Sequence, residues 1–205
     1  MSGYTIIRDI SVELRRRIFD SLRSSPVDAF DLTFTDEVTN IVLDSPSDEP
    51  GNNVKATLYL YHVDVNKALR NQRMLPQPGQ SDELRLPPMP LQLRYLFTPV
   101  DDDEATNHLI AGRVLQYFYD NPKVATLAGE TLGDSFGGGS KELRIKPELL
   151  TMEQLSQIWN AFNQAYRLSL IFLVEVVALD SAKSPVRAPR VVDSSTVVGI
   201  KERSV

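Results

Sequence analysis

Residues 166–180 read Tyr-Arg-Leu-Ser-Leu-Ile-Phe-Leu-Val-Glu-Val-Val-Ala-Leu-Asp, and no other stretch limits the possible folds so tightly. One face of this run carries Leu168, Leu170, Phe172, Val174 and Val176. The other carries Arg167, Ser169, Ile171, Leu173, Glu175 and Val177. Period-two alternation with apolar residues on both faces predicts a central strand covered on each side. At roughly 3.3 Å per residue it would reach on the order of 50 Å, longer than an ordinary strand. Such a strand must bend through a bulge or run past its own domain. Neither outcome resembles an active site, so the chain reads first as one that builds.

The rest of the chain surrounds that strand with ordinary elements. At 205 residues, one α/β or α+β domain with an extension is the natural size class. A hydrophobic content of 42% supports a real core. Residues 4–23 predict a helix whose stripe is Ile7, Ile10, Leu14, Ile18 and Leu22. Strands are expected at Ala29–Thr35, Val38–Leu43, Val54–Val63 and Leu91–Thr98. In the third, Ala56, Leu58 and Leu60 oppose Thr57, Tyr59, Tyr61 and Val63. Between Asn66 and Pro90 five prolines interrupt the pattern, which predicts an irregular contact or mobile segment. Asp101–Glu104 opens a second helix ending near Asp120, with Leu109, Ile110, Val114, Leu115 and Phe118 buried. A glycine-bearing stretch runs to Ser140, followed by a short strand at Leu143–Lys146. Thr151-Met-Glu-Gln154 fits a capping box for a third helix with Leu155, Ile158, Trp159 and Phe162 on its apolar side.

The chemical signals are sparse. With no cysteine in the chain, disulfides and thiolate chemistry are excluded. A net charge of -5 argues against a general nucleic-acid binder, which needs a basic surface. The arginine stripe Arg8, Arg15, Arg16 and Arg23 fits a solvated or ion-paired face better than a phosphate contact. Gly133–Lys141 departs from a phosphate loop, because Ser140 separates the last glycine from the lysine and a strand follows. Asp101–Glu104 lacks the spaced ligands of a cation loop and suits a helix start. Glu104 and His108 form at most a surface i,i+4 pair, and His62 stands beside no nucleophile motif. The expectation is therefore a chain with no cofactor, no metal and no enzymatic activity. The amino terminus lacks a secretory pattern and no apolar run reaches the ~20 residues of a spanning helix, so cytoplasmic synthesis without membrane insertion is expected.

Several blocks are familiar in combination: Tyr4–Leu14, Leu58–Gln72, Pro90–Thr98, Gly112–Pro122 and Leu150–Phe162, the last leading into Tyr166–Ser181. In this order the sequence resembles the tail-cap (tail terminator) proteins of phage-tail-like contractile injection systems, such as the antifeeding prophage and the Photorhabdus virulence cassette. The resemblance implies an α/β (α+β) subunit with a mixed, mostly antiparallel central sheet and about three flanking helices. Residues 1–181 would form the cap domain and 182–205 an extended arm. It further implies a homohexameric ring on the distal end of the inner tube and contractile sheath, stopping tube growth and anchoring the last sheath layer. The particle would be released, tethered or retained in the cytoplasm. Asn66, Leu69, Arg70, Asn71 and Gln72 are the candidate contacts to neighbouring subunits and tube. Arg190, Val191, Val192, Thr196, Val197, Val198 and Ile200 are the candidate sheath-contacting arm. The alternative is a neck or tail-completion adaptor joining a phage-like tail to another component.

Overall fold

The computed structural model describes residues 3–24, 34–46, 51–69, 71–77, 80–127, 129–132 and 142–187. Helix α1 spans Ile6–Arg23, and a single helical turn, α2, spans Glu37–Asn40 before the two-residue strand β1 (Ile41–Val42). Strand β2 (Ala56–Val65) leads through a 3-10 turn at Lys67–Leu69 to the hairpin β3 (Leu75–Gln77) and β4 (Gln80–Arg85). Strand β5 (Met89–Pro99) is followed by helix α3 (Glu104–Asp120) and the short strands β6 (Lys123–Val124), β7 (Thr126–Leu127) and β8 (Glu130–Thr131). Then come β9 (Leu143–Pro147), helix α4 (Met152–Phe162), β10 (Leu170–Leu179) and β11 (Val186–Arg187).

The main sheet has the order β1-β2-β5-β10-β9-β6, antiparallel except for the β1–β2 pair. The fold is thus the mixed, mostly antiparallel α+β arrangement expected. Two layers of helix cover it. Ile6, Ile10, Leu14, Ile18 and Leu22 of α1, with Ile110, Val114 and Phe118 of α3, meet Leu58, Leu93, Tyr95, Phe97, Phe172 and Val174 in the main core. On the opposite face Trp159 of α4 covers Leu96 and Ile171. Tyr95 is buried in mid-sheet, and its hydroxyl lies 2.8 Å from Ser11 Oγ of α1. Ser11 itself donates to Ile7 O at 3.0 Å, so the tyrosine is the donor of the pair. Burial pushes the Tyr95 hydroxyl pKa well above its ordinary value.

The long strand is shorter than its sequence suggests and it is bent. It starts at Leu170, paired with Phe97. Continued two steps back, the register would set Leu168 against Pro99, which has no N–H to give. The ladder to β5 shifts between Val174 and Val177, so a bulge sits at Glu175–Val176. That extra residue reverses the alternation. Val177 joins Phe172 and Val174 in the main core instead of following Ile171 to the other face. Strand β2 carries a second bulge between Leu60 and His62, which brings Val63 level with the core residue Leu93 and away from the side of Tyr59. Because each bulge is one inserted residue, removing it restores simple alternation. Deleting Val176 is therefore expected to leave a folded protein, with urea unfolding shifted by no more than about 2 kcal/mol and the same residues in the core.

Other expectations need correction. Asp36 accepts a hydrogen bond from Thr39 N at 2.7 Å and captures Glu37–Asn40 as a helical turn, so only Ile41–Val42 of the expected strand Val38–Leu43 is extended. The strand expected at Ala29–Thr35 is not found at its described end, where Phe34 to Asp36 lack regular structure, and its first five residues lie outside the described set. Asn66–Pro90 is not irregular: it holds the 3-10 turn, β3 and β4, and β11 adds to β4 in a three-stranded sheet of order β11-β4-β3. In α3, Leu109 and Leu115 are exposed, and Asn107 and Ala111 are buried in their place. Asn107 turns inward because its side chain bonds Asp101 N at 2.8 Å and Asp101 O at 3.0 Å. The Thr151–Gln154 capping box is present, and α4 ends on Asn163 in a left-handed conformation.

Candidate assembly interface

Most of the charged groups singled out in the sequence meet partners of the same chain among the described residues. Arg15 binds Glu37 at 2.8 Å, and Arg16 and Arg17 both bind the buried Glu13 at 2.7 Å. Arg8 pairs with Asp9, and the Arg23 guanidinium lies 5.7 Å from the Phe19 ring centroid. The arginine stripe thus meets carboxylates and an aromatic face of its own chain. Asp103 caps α3 by accepting from Thr106 Oγ1 and Thr106 N, which hold its carboxyl below the usual range. Burial works to raise the Asp101 carboxyl, but the Lys55 ammonium at 2.6 Å and the Asp103 N–H outweigh it and lower the pKa. His108 lies 3.7 Å from Glu104 on an exposed helix face. A polar cleft of about 660 Å³ opens between the start of α3 and Tyr166–Leu168. Its Asp101 and Asn107 are committed to the contacts just given. Among the described residues no group of three or more His, Asp or Glu side chains is placed to hold a metal ion. No helix among them is long and apolar enough to cross a membrane.

What remains open is surface for packing. The loop after β2 is fastened at its root: Asn66 N donates to Pro90 O at 2.8 Å, and Asn66 Oδ1 accepts from Ala68 N at 3.0 Å. Leu69 closes the turn on Asn66 O and is half-buried; Asn71 is exposed and Gln72 half-buried. Arg70 lies outside the described residues, as do Arg190, Val191, Val192, Thr196, Val197, Val198 and Ile200 of the candidate arm. The structure therefore brings Asn66, Leu69, Asn71 and Gln72 into one short segment at the end of β2.

Sequence reasoning missed the edge of β2 itself. Strand β1 pairs only with Ala56 and Thr57, and among the described residues no strand lies against the outer side of Leu58–Val65. Tyr59 meets the Phe162 ring edge-on, with centroids 5.6 Å apart, and Tyr61 packs on the cluster under α4. Burial, with the nearby Glu148 carboxylate, pushes the Tyr61 hydroxyl up to about 12. The Glu148 charge is itself held by Arg94 at 2.8 Å. At the neighbouring end of α4, Leu149 and Met152 are exposed. The signal was present in the alternation of Val54–Val63, but an edge becomes visible only once the partners are known.

Fold and surface define a sheet-and-helix domain in which Glu13, Asp101, Asp103 and Asn107 are engaged within the chain itself. Within that class the chain belongs to the Pvc16 N-terminal domain family, whose model matches residues 9–193. Among solved structures, it is similar to the PVC sheath/tube terminator of an extracellular contractile injection system, in its extended state. That likeness has 20% identity and a TM-score of 0.55, covering 100% of this chain and 67% of the other. The tube terminating cap of the anti-feeding prophage aligns at 20% identity and a TM-score of 0.45, over 69% of this chain and 48% of its own. The chain therefore spans about two thirds of the first structure's length and about half of the second's. No curated protein matches it.

Proposed function

We propose that this chain is a terminator of a contractile injection system, closing the distal end of the inner tube and its sheath as a ring of six copies. The family match over residues 9–193 carries this reading, and the likeness of the whole chain to a sheath/tube terminator fold supports it. The role needs shape and contact and no turnover, in keeping with side chains spent on capping and ion pairing. Asn66, Leu69, Asn71 and Gln72 are its proposed contacts to the tube or to the next copy. Removing the gene from cells that assemble such particles is expected to give tubes of scattered length with poorly held sheath, read by electron microscopy. Restoring this chain should return one length. Tubes of uniform length and full sheath without it would overturn the proposal.

A further inference from the structure

A ten-residue strand with a two-residue neighbour leaves most of one edge without a strand partner among the described residues. The outer N–H and C=O groups of β2 from Leu58 to Val65 meet no strand among the described residues. His62 and Val63 are exposed there. An added strand would find apolar groups on both sides: Leu60 and Val65 packed on the main core, with the exposed Val63 level with Leu93, and Tyr59 and Tyr61 toward α4. Folded proteins guard such edges with lysine, proline or bulges. Leu58–Val65 has neither lysine nor proline, Asp64 is its one acidic residue, and the bulge at Leu60/His62 bends the strand without covering it.

The polypeptide carries a matching donor. Its described part ends with β11 on the margin of the small sheet, already extended and paired with Glu83 and Leu84. Residues 188–205 follow, and Thr196-Val-Val-Gly-Ile200 is an uncharged run dominated by β-branched residues. We infer that the free edge of β2 accepts the Thr196–Ile200 segment of a second copy of this chain by strand addition. Main-chain hydrogen bonds would supply affinity, and Val198 and Ile200, on one side of the added strand, would supply apolar contact. Donor and acceptor lie at different places on one chain. Their contact is therefore head-to-tail, the kind that closes into a ring when the rotation per copy allows. The inference rests on the terminator reading only in needing several copies side by side, and it assigns the arm to a neighbouring copy in place of the sheath.

Hydrogen exchange with sedimentation tests it on three proteins: the full chain, a chain ending at Arg187, and the full chain with Val63→Lys. The full chain is expected to associate as its concentration rises, with the peptide spanning Leu58–Val65 exchanging about tenfold more slowly in the associated form. Both altered chains should keep the helical and sheet signal of the parent, remain monomeric and lose that protection. The lysine variant decides the matter if truncation affects folding. Protection already present in a monomer and lost on truncation would make the occupant the chain's own tail and overturn the inference. So would association and protection that survive truncation, or protection that appears only when sheath protein is added. A monomeric truncated chain that still gives tubes of one length would remove the need for the arm and leave the terminator reading standing. Scattered lengths despite intact association would remove neither the edge contact nor its evidence.

Discussion

Phe172→Ala is expected to cost about 3–5 kcal/mol, read as a lower urea midpoint at fixed protein concentration with an unchanged slope. Phe172 is 1% exposed and sits on β10 between Tyr95 of β5 and Pro147 of β9. Its ring meets that of Phe118 on α3 with centroids 4.8 Å apart. It lines one small interstice with Leu14 and Ile18 of α1 and Leu58 of β2. A single ring thus stacks on α3 and faces α1 and β2 across that interstice. Paired strands on both sides of β10 oppose collapse into the gap, which puts the loss near the upper end of that range. A midpoint shift below 1 kcal/mol would show that the helices do not share this core.

The second large effect concerns the other face. Trp159→Ala is expected to cost about 3–5 kcal/mol of α4 docking, whereas Trp159→Phe should cost about 1–2 kcal/mol. Trp159 is the one buried residue of α4, at 2% exposure, set over Leu96 and Ile171. Phe162 and Tyr166 meet it edge-on at 6.1 and 6.0 Å. Its indole N–H has no acceptor among the described residues, so phenylalanine gives up packing area and no hydrogen bond seen there. Hydrogen exchange separates local from global loss. With alanine, amides of Met152–Phe162 should open before those of β5 and β10. Equal opening throughout would mean that the helix and the sheet unfold as one unit.

How far the sequence spoke for the fold depended on how local each decision was. The capping box at Thr151 and the stripe of α1 are written within single turns, and both were legible. The bulges were not, because an extra residue in β2 or β10 exists only relative to β5, and no window on one strand contains the comparison. Pro76 concealed the hairpin for a related reason. It lies in β3, the margin of its sheet, where a missing N–H is tolerated, so a residue read as a breaker was compatible with a strand. In α3, apolar periodicity favoured Leu109 and Leu115, but the bonds of Asn107 to the Asp101 backbone turned the helix so that both leucines face outward. Of the candidate interface, the segment Asn66–Gln72 was singled out through the family resemblance of Leu58–Gln72, and its contacts stand as a proposal. The edge beside it that no described strand covers was hidden, since it depends on β1 stopping at Val42.

The hydroxyl contact from Tyr95 to Ser11 removes an ambiguity that grease alone would leave. Ile6, Ile10, Leu14 and Ile18 repeat every four residues, so a slide of α1 along the sheet by four residues, about 6 Å, would set like against like. Only one placement, however, brings Ser11 to the phenol; any other strands a polar atom in the dark. The pair acts as a vernier mark on an otherwise unmarked rail, and fixes where both ends of the helix emerge.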